Sequence, residues 1–420
     1  MGTKFIDYQP NQLYLLPQNP EEWLPEEHLV YFIRDTVTEL DLSRFYQKYQ
    51  GDGRRNQPYH PSMLIQILLY GYCTGVFSSR KLAKKIEEDI AFRVLAADNR
   101  PHHTTLCRFR DAHLSDFEDI FRQVLSIARE AKLCRLGVVA IDGSKLKANA
   151  SRHKAMSYER MNSAEKELKK QISEITRRAR GEDAAEDVEF GEEFRGDELP
   201  QELSRRESRL AAIRAAKKRL EQRTQEEKQS TPEAKSQENF TDPESRIMKT
   251  AQGDFQQCYN TQIAVDADNH LIVACAVSQS ATDSRQLIPM LQQVQTVNNK
   301  IPDTTLADAG YKSEDNFKSL MAMGANALVS LGKEDKTLPS IAPDKKLTKR
   351  MAKKLKGKKA RKLYKKRKAI VEPAYSWIKQ VLGFKKFSVR GLKKVCGEWS
   401  LVCCALNLRR LNSKIQWVPA

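Results

Sequence analysis

Three acidic residues lie far apart in the chain, and each stands where its carboxylate can be presented to a substrate. Asp142 follows the apolar run LGVVAI, and Asp308 follows TTLA. Glu372 is the only acid in the segment 345–397, which holds 21 Lys and Arg residues. Carboxylates brought together bind Mg²⁺, and two such ions roughly 3.5 to 4 Å apart can activate the attacking oxygen and stabilise the leaving one in phosphodiester chemistry. The three acids therefore predict metal-dependent cleavage of a phosphodiester.

Each of these acids, taken alone, also has an ordinary structural interpretation. Asp142 could open a turn, since Asp followed by Gly is a common turn dipeptide, and Asp308 could likewise be a turn residue. Glu372 could be a helix-start acid favoured by the helix dipole, with Pro373 at the first helical position. The metal-site hypothesis depends on the order of the elements that carry the acids and on the basic composition around them.

The elements around the acids predict a mixed α/β sheet. Short apolar runs rich in β-branched residues are typical of buried strands, and five follow one another at 136–144, 259–267, 270–278, 304–310 and 327–332. A hairpin is predicted between the second and third runs, and Asp283 is predicted to cap a helix over 284–297. The resulting order β-β-β-α-β-α-β-α-α fits an RNase H-like sheet with flanking helices.

This topology explains how distant acids could meet. Its first and fourth strands are neighbours, so Asp142 and Asp308 would stand at the ends of adjacent strands. A helix that packs across the sheet would bring Glu372, near its start, to the same edge.

Two further regions complete the organisation. Residues 1–134 are predicted to form an all-α domain that includes helices over 60–75, 78–89 and 103–114, the last with a threonine cap and with Arg108 and Arg110 exposed. This arrangement indicates a helix-turn-helix-like DNA-binding module, although an ordinary helical bundle would show the same pattern. Residues 135–420 form the catalytic domain, interrupted at 152–246 by a charged helical insertion, either a hairpin or a coiled coil with an acidic tip at 182–202.

Composition indicates a polyanionic partner. The net charge is +18, and 15 of the 24 residues from Lys345 to Lys368 are basic, which favours a DNA-contacting segment over a solvated tail. The eight cysteines show no CxxC pair, so zinc sites and disulfide frameworks are not expected. Without a P-loop, a GxGxxG motif, a signal peptide or a long apolar run, we expect no nucleotide cofactor, no membrane association and a cytoplasmic, nucleoid-associated location.

Several motifs in the same order make the resemblance to a known family specific. The segments VVAIDGSKLKANASRHKAMSYERM, TLADAGYKSEDN and RKAIVEPAYSWIKQVLGFKKFSVRG resemble the three acid-bearing motifs of bacterial insertion-sequence transposases of the DDE class. The segment YHPSMLIQILLYGYCTGVFSSRKLAKKIEEDIAFRVLAADNRPHHTTLCRFR resembles their N-terminal domain. The resemblance implies a transposase that binds the inverted repeats of its element, cuts there with Mg²⁺ and joins the freed 3′-hydroxyl to target DNA.

The resemblance also implies roles for individual residues. Asp142, Asp308 and Glu372 would be the catalytic triad and would bind two Mg²⁺ or Mn²⁺ ions. A related signature places Tyr, Arg, Glu and Lys in that order, and here the gap from Arg367 to Glu372 is one residue longer. The predicted contacts to double-stranded DNA are made by Tyr364, Arg367, Lys368 and Lys379, together with Arg108 and Arg110.

Two alternatives concern the activity. The chain could be an RNase H-like nuclease without strand transfer, or a DNA-binding repressor descended from a transposase. A homodimer is expected for a transposase, because two element ends must be held together.

Overall fold

The N-terminal part of the chain is helical, as predicted. The structure, a computed structural model, describes residues 22–49, 57–151, 154–190, 201–250, 252–332 and 342–415. The helices of this part are α1 (Leu29–Thr38), α2 (Ser43–Tyr46), α3 (Pro61–Cys73), α4 (Ser79–Glu88), α5 (Ile90–Ala96), α6 (His103–His113) and α7 (Phe117–Glu130). Helix α3 is apolar on nearly all sides and is buried along almost its whole length, which confirms the buried helix expected there. His102, rather than a threonine, caps α6, because its ring accepts the Thr104 N–H.

A mixed sheet follows. The strands are β1 (Val138–Lys147), β2 (Ala155–Ser157), β3 (Gln237–Asn239), β4 (Arg246–Lys249), β5 (Phe255–Asp266), β6 (Ile272–Ser278), β7 (Thr304–Ala307) and β8 (Ala327–Val329). The main sheet has the order β4-β5-β1-β7-β8, and β6 also pairs with β5. Strand β5 is antiparallel to β1, whereas β7 is parallel to β1 and β8 is parallel to β7. The five predicted strands are therefore confirmed, and β4 is an edge strand that the sequence analysis did not separate.

Strand β1 is longer than predicted, and Asp142 lies inside it rather than at its end. The parallel pairing with β7 stops at Ile141 and Ala307, whereas the antiparallel pairing with β5 continues to Lys147 and Cys258. The hydrogen bonds of β5 hold the chain extended beyond the aspartate, so Asp142 does not open a turn. One side of Asp142 is thus paired with β5, and its other side faces the space beyond the end of β7.

The helices of the second half cover the sheet. They are α10 (Leu287–Asn298), α11 (Glu314–Ala322), α12 (Lys346–Lys356), α13 (Lys358–Tyr364), α14 (Arg367–Ser376) and α15 (Leu392–Asn412), after α8 (Tyr158–Phe190) and α9 (Gln201–Lys228) of the insertion. A 3-10 turn spans Ala309–Tyr311 and a π-helical turn spans Trp377–Val381. The lysine-rich segment forms α12 and α13 and leads into α14.

Two helix starts differ from the prediction. Helix α14 begins at Arg367, so Glu372 and Pro373 lie inside it and neither marks its start. Helix α13 ends at Tyr364, and α14 begins after a short turn, five residues before Glu372. Pro373 therefore did not mark the start of this helix. Helix α10 begins at Leu287 with Gln286 as its cap, so Asp283 is not the helix cap that was predicted.

The insertion is a helical hairpin, as predicted. Helices α8 and α9 pack against each other, and Leu168, Leu210 and Ile213 belong to a small core of their own. Strands β2 and β3 pair at its base. The acidic tip predicted at 182–202 falls largely outside the side chains that the structure describes. The insertion thus has its own small core, apart from the larger cluster around the sheet.

Helix α15 joins the N-terminal helices to the sheet, and it explains why one predicted surface residue is buried. It packs against α3, α7 and β6. Its Glu398 accepts hydrogen bonds from the Tyr72 hydroxyl and the Ser388 N–H, at 3.0 and 2.9 Å. Arg110 lies beside this pair, is 5% exposed and donates to the Phe77 carbonyl. The expectation that α6 exposes Arg110 is therefore wrong, because the buried carboxylate of α15 draws the guanidinium inward.

Across the described residues, no helix is both long enough and apolar enough to cross a membrane.

Candidate active site

The pairing of β1 with β7 brings Asp142 and Asp308 together. Val138 pairs with Thr304, and the register continues in parallel to Ile141 and Ala307. The next position of this register is occupied by Asp142 on one strand and by Asp308 on the other. Since neighbouring strands lie about 4.8 Å apart, and side chains at matched positions of parallel strands point to the same face, the two aspartates are close neighbours. This adjacency was predicted from the strand order, and the register confirms it.

The carboxyl group of Asp142 is in an unusual electrostatic position. Its pKa is raised to about 6, mainly by burial and further by the nearby Asp308 and Asp283 carboxylates, although Arg367 acts to lower it. The Gly143 N–H donates to Asp142 Oδ1 at 2.9 Å, and Arg367 Nη1 lies 3.4 Å from Oδ2. A partly desolvated carboxylate beside two others favours a bound cation.

Asp283, predicted from the sequence to cap a helix, is instead an acid beside this site. Its Oδ1 accepts hydrogen bonds from Asn260 and Gln262, at 2.6 and 2.7 Å. Lys145, three residues after Asp142 on β1, forms an ion pair with its Oδ2 at 3.2 Å. The signal in the sequence was a polar triplet, since β5 carries Asn260, Thr261 and Gln262 next to the apolar run Ile263–Val265 and in its buried part. Buried polar side chains in a central strand need partners, and Asp283 is the partner of two of them.

Helix α14 and the π-helical turn cover the Asp142 side of the sheet. The Tyr375 hydroxyl donates to the Thr261 carbonyl at 2.9 Å and lies 3.3 Å from the Asp142 carbonyl. Lys379, in the π-helical turn, contacts the Ser144 hydroxyl. Burial lowers the pKa of Lys379, and Asp142 opposes that effect. The π-helical turn therefore places Lys379 beside Ser144. Ser144 lies two residues after Asp142, on the same face of β1.

Glu372 is not brought to the two aspartates in this structure. It is exposed, and no described residue forms a hydrogen bond or an ion pair with it. Five residues separate it from the inward-facing Arg367, which corresponds to about 140° around the helix. A residue four positions after Arg367 would lie only about 40° from it around the helix. In this chain that residue is the buried Val371. The extra residue noted in the sequence thus turns the glutamate toward the flank of α14.

The remaining predicted DNA contacts differ in accessibility. Arg367 is 7% exposed and is paired with Asp142, so its guanidinium faces the site rather than solvent. Tyr364 is half-buried and interacts with Arg367. Burial lowers the pKa of Arg367, but Asp142, Tyr364 and Asp308 together raise it above its usual value. Lys368 and Arg108 are exposed.

The donor chemistry fits a hard divalent ion. Carboxylate oxygens are the ligands that Mg²⁺ and Mn²⁺ prefer, and Asp142 and Asp308 are the residues that would hold the ion. Within the described ranges, no three His, Cys, Asp or Glu side chains are placed to share one ion. Asp142 faces Arg367, and Asp283 faces Lys145, so an ion at Asp142 would compete with a guanidinium for the same oxygen.

Comparison with known families defines the class of protein. A family model described as transposase DDE domain matches residues 214–408, which include Asp283, Asp308 and Glu372 and begin beyond Asp142. A second model, transposase domain (DUF772), matches residues 18–112 in the N-terminal helices. The chain belongs to the insertion-sequence transposases of the DDE class. No match was found among curated proteins or among solved structures.

Proposed function

We propose that this transposase binds the terminal inverted repeats of its element and catalyses metal-dependent DNA strand cleavage followed by strand transfer. The observation that carries the proposal is the register of β1 and β7, which sets Asp142 and Asp308 side by side at the point where their pairing ends. Counted along the chain without β4 and the insertion strands, the sheet order is 3-2-1-4-5, which supports an RNase H-like catalytic fold. The proposed division is a DNA-binding domain at 1–134 and a catalytic domain at 135–420, with the insertion at 152–246.

Glu372 is proposed as the third acid. Lys379 follows it by seven residues, about two helical turns, so the two lie on the same flank of the helix. Lys379 contacts Ser144 on β1, which indicates that this flank borders the site. Bringing Glu372 to Asp142 would require α14 to shift and Arg367 to leave Asp142, with which it is paired here.

The protein's own groups have distinct tasks in this chemistry. When bound, Mg²⁺ or Mn²⁺ activates the attacking oxygen and stabilises the leaving one. Asp142, Asp308 and Glu372 hold the ions, and two are expected. Lys379 is placed to contact a DNA phosphate near the cut, and Arg367 neutralises Asp142 until the site is loaded. Attack would be in line, by water in cleavage and by the 3′-hydroxyl in joining, with no covalent protein–DNA intermediate.

Two basic surfaces support DNA binding. In the N-terminal domain, α4 and α6 pack together and present exposed cations, namely Arg80, Lys81, Lys84, Lys85 and Arg108. We propose a helix-turn-helix-like role for this pair of helices in recognising the element ends. The second surface is formed by α12 and α13: α12 packs against α11 and β8, and both helices expose most of their lysines. Two ends must be held together, so a homodimer is proposed for the active complex.

The proposal is tested by strand cleavage and joining assays on the element's end DNA with Mg²⁺ or Mn²⁺. Asp142→Asn, Asp308→Asn and Glu372→Gln are each expected to abolish both reactions while leaving DNA binding intact. Asp315→Asn is the matched control, because Asp315 is an exposed aspartate seven residues after Asp308. Full activity in the Asp308 variant would refute the assignment, and cleavage without joined products would identify a nuclease instead.

A further inference from the structure

Asp283 links β1, which carries Asp142, to the neighbouring strand β5. From β1 it receives Lys145, whose Nζ lies 3.3 and 3.2 Å from its two carboxylate oxygens. From β5 it receives the amides of Asn260 and Gln262. Its side chain is partly buried, with 21% exposure, and Lys145 is less exposed still at 16%. One carboxylate therefore collects three donors from two neighbouring strands.

The same carboxylate reaches the turn after Asp308 through Gln262. Gln262 donates to Asp283 with its amide nitrogen and accepts from the Tyr311 hydroxyl with its amide oxygen. Tyr311 is fully buried and closes the 3-10 turn that begins directly after Asp308. Asp308 itself accepts the Gly310 N–H at 2.8 Å within that turn. A continuous chain of hydrogen bonds thus runs from Asp283 to the segment that orients Asp308.

Two glycines leave room for Asp283 next to the catalytic pair. A Cβ on Gly143, the residue after Asp142, would lie 2.6 Å from Asp283 Oδ1. A Cβ on Gly310 would lie 3.7 Å from Asp283 Oδ2 and 3.0 Å from Asp308 Oδ1. Asp283 is therefore in close contact with the backbone beside each catalytic aspartate.

We propose that Asp283 is a positioning residue of the metal site, which holds Asp142 and Asp308 at a fixed separation through Lys145 and through the Gln262–Tyr311 pair. This inference rests on the proposed function, since it concerns the same site. Groups that orient metal ligands through hydrogen bonds commonly change metal affinity 10- to 100-fold when they are removed. Asp283 acts on two ligands at once, so its loss should weaken metal binding rather than the chemistry alone.

The test measures Mn²⁺ binding to the full chain without DNA, by the electron paramagnetic resonance signal of free Mn²⁺. Asp283→Ala is expected to raise the Mn²⁺ dissociation constant at least about 10-fold. Asp283→Asn should give a smaller rise, because the amide oxygen still accepts from β5 while Lys145 loses its charged partner. Tyr311→Phe removes only the hydroxyl at the far end of the chain of hydrogen bonds and should change affinity in the same direction.

A purely structural role would give a different pattern. Asp303→Asn is the control, because Asp303 precedes the other end of β7 and is exposed beside Lys300; its Mn²⁺ affinity should match the wild type. For Asp283→Asn, the Mn²⁺ concentration that gives half-maximal cleavage should rise together with the dissociation constant, whereas a purely structural role would leave that concentration unchanged. Wild-type affinity in both Asp283→Asn and Tyr311→Phe would overturn the inference, even if Asp283→Ala fails to fold.

Asp142→Asn separates this inference from the proposed function. If Asp142→Asn binds Mn²⁺ as the wild type does, the metal site itself is wrong and the proposed function fails. If Asp142→Asn loses Mn²⁺ while the Asp283 and Tyr311 variants keep it, the proposed function stands and only the positioning role is refuted.

Discussion

Replacing Arg110 is expected to destabilise the fold and to leave DNA binding unchanged. Its guanidinium is buried beside Glu398, which is fully buried in α15, and the Tyr72 hydroxyl lies between them. Removal of one member of a buried, directly paired ion pair costs about 3–5 kcal/mol. Arg110 is directly paired with Asp111 at 3.2 Å, and it interacts with Glu398 across the Tyr72 hydroxyl. Tyr72 and Ser388 would continue to donate hydrogen bonds to Glu398. The loss of unfolding free energy in Arg110→Met should therefore lie at the lower end of this range, about 3 kcal/mol.

The penalty should depend on pH in a defined direction. Burial raises the pKa of Glu398, while Ser388 and Arg110 lower it, so loss of Arg110 raises the pKa further. Below the unfolded-state value near 4.3, the glutamate is protonated in both states and the charge penalty vanishes. As pH rises through the folded-state pKa, the unfolded state binds fewer protons than the folded one, and the variant loses stability relative to the wild type.

Urea unfolding followed by tryptophan fluorescence measures this effect, because Trp399 is fully buried next to Glu398. Arg108→Met is the matched control, since Arg108 is exposed on the same helix. In the Glu398→Gln background, Arg110→Met should cost less, with a coupling energy of about 1–2 kcal/mol. An unchanged urea midpoint, combined with a salt dependence of DNA binding reduced by about one unit, would refute the buried role and restore the predicted DNA contact.

Two further perturbations follow from packing and from charge. A Cβ on Gly397 would overlap the Leu114 carbonyl group and lie 2.8 Å from the Leu114 Cβ. Gly397→Ala should therefore lower the free energy of unfolding by about 1–3 kcal/mol, despite the better helix propensity of alanine. A raised urea midpoint would contradict the close approach of α15 to Leu114. Each phosphate contact contributes about 0.9 to the slope of log affinity against log salt concentration. Changing Lys358, Lys359 and Lys362 of α13 together to Gln should therefore reduce that slope by about 3 for binding to the element's end DNA. An unchanged slope would exclude this surface from DNA contact.

Local patterns in the sequence determined the elements of the catalytic fold and their order. Short apolar β-branched runs bounded by turn residues predict buried strands, because branched side chains pack well on a pleated surface. The strand order in turn predicted that Asp142 and Asp308 are neighbours, and the β1–β7 register agrees. The basic composition and the motif order predicted the transposase class, which the two family matches support.

Tertiary structure alone decided how individual polar side chains are directed. Arg110 looked like a surface cation because nothing in α6 reveals that Glu398, 288 residues later in the chain, is buried against it. Asp283 looked like a helix cap because its partners Lys145 and Gln262 come from other strands. Glu372 keeps its place in the motif, but the start of α14 and the one-residue longer gap set its angle around the helix. A side chain's partner depends on which distant segments pack beside it, and a local sequence pattern carries no record of that packing.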